Sequence, residues 1–198
     1  VEPIKITILE DHSVVTEGII AVLKSNPFFP IAGEFRTANE LFLFLQANAA
    51  DLLILDIDLP DRSGLDVLKE VKEKYPKMKV IIFSLHGSRV YVEEAIKSKV
   101  DGYMLKSDPI SHLPSVIQTV MRGEKYISDG VSKETLPFSP FQVEILNLLV
   151  QGLSQNEVAD KIQKSRKTVE YHLNQMRTKF SCKNNNELIS KYEKEIQK

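Results

Sequence analysis

Asp56 and Asp58, in the stretch LLILDIDLP (52–60), are the residues of this chain whose types and spacing most directly promise chemistry. Two carboxylates one residue apart end an unbroken aliphatic run, the pattern of a central parallel strand buried on both faces. Burying an unpaired carboxylate is costly, so each must be solvated, paired or metal-bound. A second acidic pair, Glu10 and Asp11, closes the run IKITIL (4–9), while VIIF (80–83) ends in Ser84 and GYML (102–105) in Lys106. If these runs are parallel strands, Glu10, Asp11, Asp56, Ser84 and Lys106 converge outside their carboxyl ends, where open α/β sheets hold their sites. Clustered carboxylates repel, raise one another's pKa and call for a cation. Oxygen ligands suit a hard ion, Mg²⁺. Acidic cluster, metal, hydroxyl and ammonium together can neutralise an incoming phosphoryl group, with Asp56 as the nucleophile that becomes an aspartyl phosphate.

The elements that must position these residues are legible from periodicity. Strands are expected at 4–9, 31–35, 52–56, 80–84 and 102–106, and helices with apolar spacing near 3.6 at 14–25, 38–47, 64–75, 89–98 and 111–122. Five strand–helix repeats imply a five-stranded parallel sheet, doubly wound, with helices on both faces. Pro60, Gly64, Pro76, Gly87 and Pro109 punctuate the connections.

After residue 122 the texture changes. VSKETLPFSP has two prolines and little periodicity, which places a linker at 124–137 between a first domain, 1–123, and a smaller all-α domain, 138–198. Helices are expected at 139–151, 154–163, 165–180 and 186–196. Gly152 ends the first as a C-cap, Ser154 with Glu157 forms a capping box for the second, and Ser165 caps the third. Val158, Ala159 and Ile162 on one helix match Val169, Leu173 and Met176 on the next, a helix–turn–helix whose other faces carry Arg166, Lys167, Arg177, Lys179 and Lys183. The second helix of such a pair enters the major groove of DNA. From periodicity alone, an amphipathic hairpin with a solvated basic face is the simpler reading. Leu188, Ile189, Tyr192 and Ile196 form one side of the last helix and suit either a dimer seam or the domain's own core.

Composition narrows the classes. The chain has 198 residues, of which 42% are hydrophobic, enough for one large or two small cores. Residues 1–122 carry 14 Lys/Arg against 17 Asp/Glu, and residues 138–198 carry 10 against 7, so a polyanion would meet the C-terminal part. No apolar stretch is long enough to span a bilayer, and Glu2, Lys5 and Glu10 interrupt the first residues in a way unlike a signal peptide. The lone Cys182 fits a reducing cytoplasm and reads as an inert buried thiol.

The residues at the five strand ends resemble the receiver domain of bacterial response regulators over about 3–122. The resemblance implies a flavodoxin-like fold, with Asp56 as phospho-acceptor. It implies Mg²⁺ held by Glu10, Asp11, Asp56 and the backbone carbonyl of Asp58, with Ser84 and Lys106 as phosphoryl partners and Tyr103 as an aromatic switch. LPDRSG (59–64) is similar to the family's Met-Pro-x-x-x-Gly turn, with Leu59 in place of methionine. DIDLP also resembles the Asp-x-Asp-x-Thr box of haloacid-dehalogenase-type phosphatases, but Leu59-Pro60 follows it and an acidic pair precedes it, which favours the receiver. In the tail, Glu144, GLSQNEVA, S-x-K-TV-x-x-H and M-x-x-K-F are similar to the LuxR-type helix–turn–helix over about 139–190. Receiver followed by this module is the NarL/FixJ arrangement. It implies a cytoplasmic two-component transcription regulator with a sensor histidine kinase and double-stranded DNA as partners, dimeric when phosphorylated or DNA-bound, and not an enzyme. Its DNA contacts fall on Ser165, Arg166, Lys167, Thr168, Glu170, Tyr171, Asn174, Arg177 and Lys179. Glu170, Tyr171 and Asn174 take the base-facing positions, and Glu170 and Asn174 depart from the lysines common there. His86 is expected at the rim of the phosphoryl site, His12 and His112 at the surface, and His172 packed or facing phosphate.

Overall fold

The computed structural model describes residues 2–131 and 138–196. The chain divides into two compact units, Val1–Lys133 and Glu134–Lys198. The first alternates β1 (Ile6–Leu9), α1 (Ser13–Leu23), β2 (Ile31–Phe35), α2 (Ala38–Leu45), β3 (Leu52–Leu55), α3 (Gly64–Lys74), β4 (Lys79–Ser84), α4 (Arg89–Lys97), β5 (Gly102–Leu105), α5 (Leu113–Met121) and β6 (Tyr126–Ile127). All strand pairings are parallel, in the order β2-β1-β3-β4-β5-β6.

Among the described residues the sheet therefore has six strands where five were expected. Tyr126 and Ile127, within the stretch assigned to the linker, pair with Gly102 and Tyr103. The backbone of Ser128 continues the ladder, donating to the Tyr103 carbonyl at 2.9 Å. A two-residue strand carries no period for the sequence to show, because main-chain bonds alone define it. Residues 132–137 of the expected linker lie outside the described residues.

Strand side chains alternate between two buried faces. Ile6, Ile8, Leu52, Ile54, Ile81, Phe83 and Met104 pack with Ile19 and Leu23 of α1 and Val116, Ile117 and Val120 of α5. The intervening Leu53, Leu55, Val80 and Ile82 point the other way and are also buried. Right-handed crossovers put α2, α3 and α4 on that face, where Leu41, Leu68 and Val71 are fully buried. Each such aliphatic contributes about 1.5–3 kcal/mol by leaving water. That burial fixes the strand register and, with it, the placement of the strand ends.

In the second unit, α6 (Pro140–Val150), α7 (Gln155–Lys161), α8 (Arg166–Lys179) and α9 (Asn185–Ile196) are capped as their sequences dictate. Ser139 with Gln142, and Ser154 with Glu157, form capping boxes; the Ser165 hydroxyl accepts from the Thr168 amide at 3.1 Å. Gly152 follows α6 with a φ of +88°, the left-handed turn that releases the chain into α7. Leu188 and Tyr192 of α9 are buried in this unit's own core, and the Tyr192 hydroxyl donates to Asn147 Oδ1 of α6 at 2.6 Å. Of the two readings of that apolar side, the structure selects packing over a dimer seam for these two residues. The Ile196 side chain lies outside the described residues.

At the opposite edge of the first unit's sheet from the acidic strand ends, Asp101 is buried among Lys72, Lys79 and Lys125. It also accepts from the Val80 amide at 3.0 Å. Burial alone would raise its pKa; the Lys72 bond, the amide and Lys79 outweigh it and hold the carboxyl below the usual range. Asp101→Asn should therefore lose about 3 kcal/mol at neutral pH, because it leaves a half-buried lysine without its counter-charge. A carboxylate with a depressed folded pKa stabilises above its unfolded value of about 3.9 and loses that contribution as pH falls through the folded value. Urea unfolding of both proteins should show a gap that is full at pH 7 and closes in acid.

Candidate functional site

Parallel register sets the first site. Leu9 pairs with Leu55, so the next residues, Glu10 and Asp56, emerge side by side from β1 and β3. Ser84 ends β4 and pairs with Leu105, and Lys106 follows with its amide on the Ser84 carbonyl at 2.8 Å. β4 lies between β3 and β5, so the Lys106 side chain crosses the end of β4 to reach the acidic residues. Its Nζ stands 2.8 Å from Asp56 Oδ2 and 2.7 Å from Glu10 Oε2. Asp56 and Glu10 are 2% and 3% exposed, so these are desolvated charges that must answer one another.

Electrostatics follow from that burial. Removal from water, with Glu10 adding to it, pushes the Asp56 carboxyl up to about 6 against the opposing pull of Lys106. Burial would depress the Lys106 ammonium, but its bonds to Asp56 and Glu10 hold it above its ordinary value. One ammonium between two carboxylates leaves a net negative pocket before Asp11 is counted.

Glu10, Asp11, His12 and Asp56 each present a ligand atom within 4.8 Å of all the others. Asp11 Oδ1 is buried and, among the described residues, makes no hydrogen bond, though His12 Nδ1 lies 2.8 Å away. A buried carboxylate oxygen that no hydrogen bond satisfies, among clustered oxygen donors, fits a hard divalent cation such as Mg²⁺. The sequence reading put His12 at the surface. Its ring is exposed, yet Nδ1 also reaches Glu10 Oε1 at 3.1 Å, and the two acidic neighbours raise its pKa, Asp11 most. Its adjacency to the acidic pair was the only signal in the chain.

Asp58 does not join this cluster through its side chain. The carboxylate faces His86, whose Nε2 is 2.9 Å from both oxygens. Burial works against Asp58 ionisation, but the His86 contact outweighs it and lowers the pKa. The His86 ring stacks on Tyr91 at 4.1 Å and 12°. Its backbone engages both remaining site residues: the amide donates to Ser84 Oγ at 3.3 Å, and the carbonyl accepts from the Tyr103 hydroxyl at 2.7 Å. Ser84 and Tyr103 are fully buried. Tyr103 thus already lies inward, tied to the loop between β4 and α4.

The loop after β3 is fixed from below and from one side. Gly64, the first residue of α3, packs so closely that a Cβ there would lie 2.0 Å from the Asp56 carbonyl oxygen. Asp61 accepts from the amides of Ala38 and Asn39 at 3.1 and 3.2 Å, capping α2. Neither contact is readable from spacing.

In the second unit, α7 and α8 form the helix–turn–helix, with Val158 and Ala159 buried alongside Val169, Leu173 and Met176. The opposite side of α8 exposes Lys167, Glu170, Tyr171 and Asn174, with Arg166 beside them. Ser165 and Thr168 are engaged with each other in the cap, their hydroxyl oxygens 2.9 Å apart. Arg177 is held by Asn174 and Asn185, and the Lys179 ammonium lies over the Phe180 ring at 5.8 Å. His172 packs edge-on against Phe141 at 4.8 Å and burial lowers its pKa. Among the described residues no helix is long and apolar enough to cross a membrane.

Comparison with known proteins agrees with both halves. Residues 6–118 match the family described as response regulator receiver domain, and residues 136–192 the family described as bacterial regulatory proteins, luxR family. The oxygen regulatory protein NreC of Staphylococcus epidermidis is 30% identical over 206 residues, covering 93% of this chain and 94% of NreC. The transcriptional regulatory protein MctR of Rhizobium johnstonii is 27% identical over 186 residues, covering 89% and 87%. Among solved structures, the RcsB response regulator of Salmonella typhimurium superposes with a TM-score of 0.77 at 23% identity, covering 96% of each chain. RcsB bound to promoter DNA with the phosphomimetic BeF3- gives 0.71, covering 96% of this chain and 100% of that one. At this identity the likeness speaks for the fold.

Two outcomes test the site. Gly64→Ala must displace the Asp56 carbonyl, so it should cost about 1–3 kcal/mol in urea unfolding. Mg²⁺ should raise the melting temperature of the wild type, and Asp11→Ala should abolish that rise; an undiminished rise would move the ion elsewhere.

Proposed function

The chain belongs to the response regulators that join a receiver domain to a LuxR-family DNA-binding domain, and on that premise we propose that Asp56 accepts a phosphoryl group from a sensor histidine kinase in the cytoplasm to control binding of double-stranded DNA. The observation that carries this reading is the Lys106 ammonium between Glu10 and Asp56, at the strand ends where β4 closes on the buried Ser84. A carboxylate oxygen of Asp56 forms the new P–O bond as the P–N bond of the kinase phosphohistidine breaks, and the imidazole leaves with the electron pair. Lys106 neutralises charge on the transferred oxygens, and Ser84 donates its hydroxyl proton to one of them. Glu10, Asp11, Asp56 and the Asp58 carbonyl would hold Mg²⁺, which supplies positive charge to the carboxylates and the phosphoryl group alike. The chain is a regulator rather than an enzyme; turnover of phosphate serves only to reset it.

The signal then has a physical route. Ser84 Oγ accepts from the His86 amide, so a phosphoryl group that draws the Ser84 hydroxyl towards it pulls on His86, whose carbonyl holds Tyr103. The loop between β4 and α4 is thus the element whose two positions phosphate can discriminate, and only that difference shifts the equilibrium. The shifted state forms a homodimer through a surface other than Leu188 and Tyr192, and the dimer engages two DNA half-sites with α8 of each copy. Arg166 and Lys167 contact phosphates; Glu170, Tyr171 and Asn174 face the bases.

Asp56→Asn keeps shape and removes the nucleophile, so mass spectrometry after a small phosphodonor should show one added phosphoryl group on the wild type and none on the variant. Labelling that persists in Asp56→Asn sinks the assignment. Rapid multiple turnover would instead mark a phosphatase. With beryllofluoride, sedimentation should show dimer formation and DNA affinity should rise; both unchanged would leave the coupling without support.

A further inference from the structure

The exposed face of α8 carries an acidic residue where it should meet a polyanion. Glu170 is exposed between Lys167 and Asn174, on the side away from Val169, Leu173 and Met176. Among the described residues its carboxylate takes part in no hydrogen bond or ion pair, although Arg166 and Lys167 stand four and three residues before it. Helical neighbours at that spacing commonly pair. The basic residue on its other side, Arg177, is committed to Asn174 and Asn185. The Tyr171 hydroxyl accepts from Gln175 at 2.7 Å, which holds that ring along the helix. The fold therefore leaves unengaged a carboxylate that DNA phosphates would repel.

We propose that Glu170 determines sequence specificity by accepting a hydrogen bond from the exocyclic amino group of a cytosine in the major groove. This rests on the reading of the second unit as a DNA-binding domain. An ionised carboxylate only accepts, and the major groove offers two amino donors, cytosine N4 and adenine N6. Adenine sets its N7 acceptor beside the donor, where it opposes the second carboxylate oxygen; cytosine has no acceptor there. Asn174 lies one turn on, about 6 Å away, which spans one to two base steps of about 3.4 Å. With its Oδ1 bonded to Arg177, its amide nitrogen remains to donate, which suits guanine N7 or O6. The site read is a cytosine with a guanine edge within two steps.

The test is selection of duplexes from a random library by the full-length chain with beryllofluoride, followed by binding curves on the selected site and on single-pair variants. Wild type should require C·G at one position, with T·A there weakening binding about tenfold to a hundredfold. Glu170→Ala should bind both sites alike while keeping its preference elsewhere. Glu170→Gln, which presents a donor beside its acceptor, should move the preference at that position towards adenine. A preference unchanged in Glu170→Ala overturns the inference, as does uniform tightening on every site, the signature of relieved repulsion. A wild type that selects no sequence overturns the DNA-binding reading and this inference with it.

Discussion

Lys106 Nζ, lodged between the carboxylates of Glu10 and Asp56, is the contact on which the first unit's chemistry depends. Two carboxylates at 2–3% exposure cannot both remain ionised unless positive charge lies within a few ångströms. Burial first and Glu10 second raise the Asp56 carboxyl above an ordinary aspartate, and one ammonium offsets only part of that. The residual negative charge makes the pocket receptive to a cation, and the ammonium keeps it receptive to an anion. Parallel pairing to both sides of β4 brings these groups within reach, so the hydrophobic core indirectly sets the charge geometry. The short Ser84 side chain at the end of β4 leaves the lysine a path.

Much of this was legible in the chain because strand ends are visible in sequence. Aliphatic runs mark strands, and the residue after each run is delivered to the same edge of a parallel sheet. Glu10, Asp56, Ser84 and Lys106 could thus be gathered without coordinates. His12 and His86 could not be connected to their partners in this way, since rotamers rather than register direct their rings. The sixth strand leaves no mark in the sequence because two residues show no alternation. For α9, periodicity revealed an apolar side at Leu188 and Tyr192 but not what covers it. Burial against α6 is a fact of tertiary packing.

The second unit illustrates the converse. Its helices, caps and turn follow from local sequence almost residue by residue, because Ser-x-x-Glu and a left-handed glycine act within one turn of chain. What local sequence leaves undetermined is which polar side chains are already engaged. Arg177 reads as a phosphate contact by charge alone, yet it is tied to two asparagines. Lys179 similarly lies over an aromatic ring. The number of basic residues on a helix therefore overstates the number available to a ligand.

The anchoring of the loop after Asp56 differs on its two flanks. Towards α2 it is stitched by both oxygens of Asp61, and from beneath it is wedged by the close packing of Gly64. Towards α4 its tie is the His86 ring resting on Asp58 and Tyr91. In mechanical terms the pocket resembles a vice with one jaw bolted to the frame and the other carried on a hinge. On the proposed reading, force generated at Asp56 would meet the backbone anchors on the α2 side and be passed to the side-chain contacts of His86 on the other. The anchoring would then rectify motion in direction before any distant surface takes part.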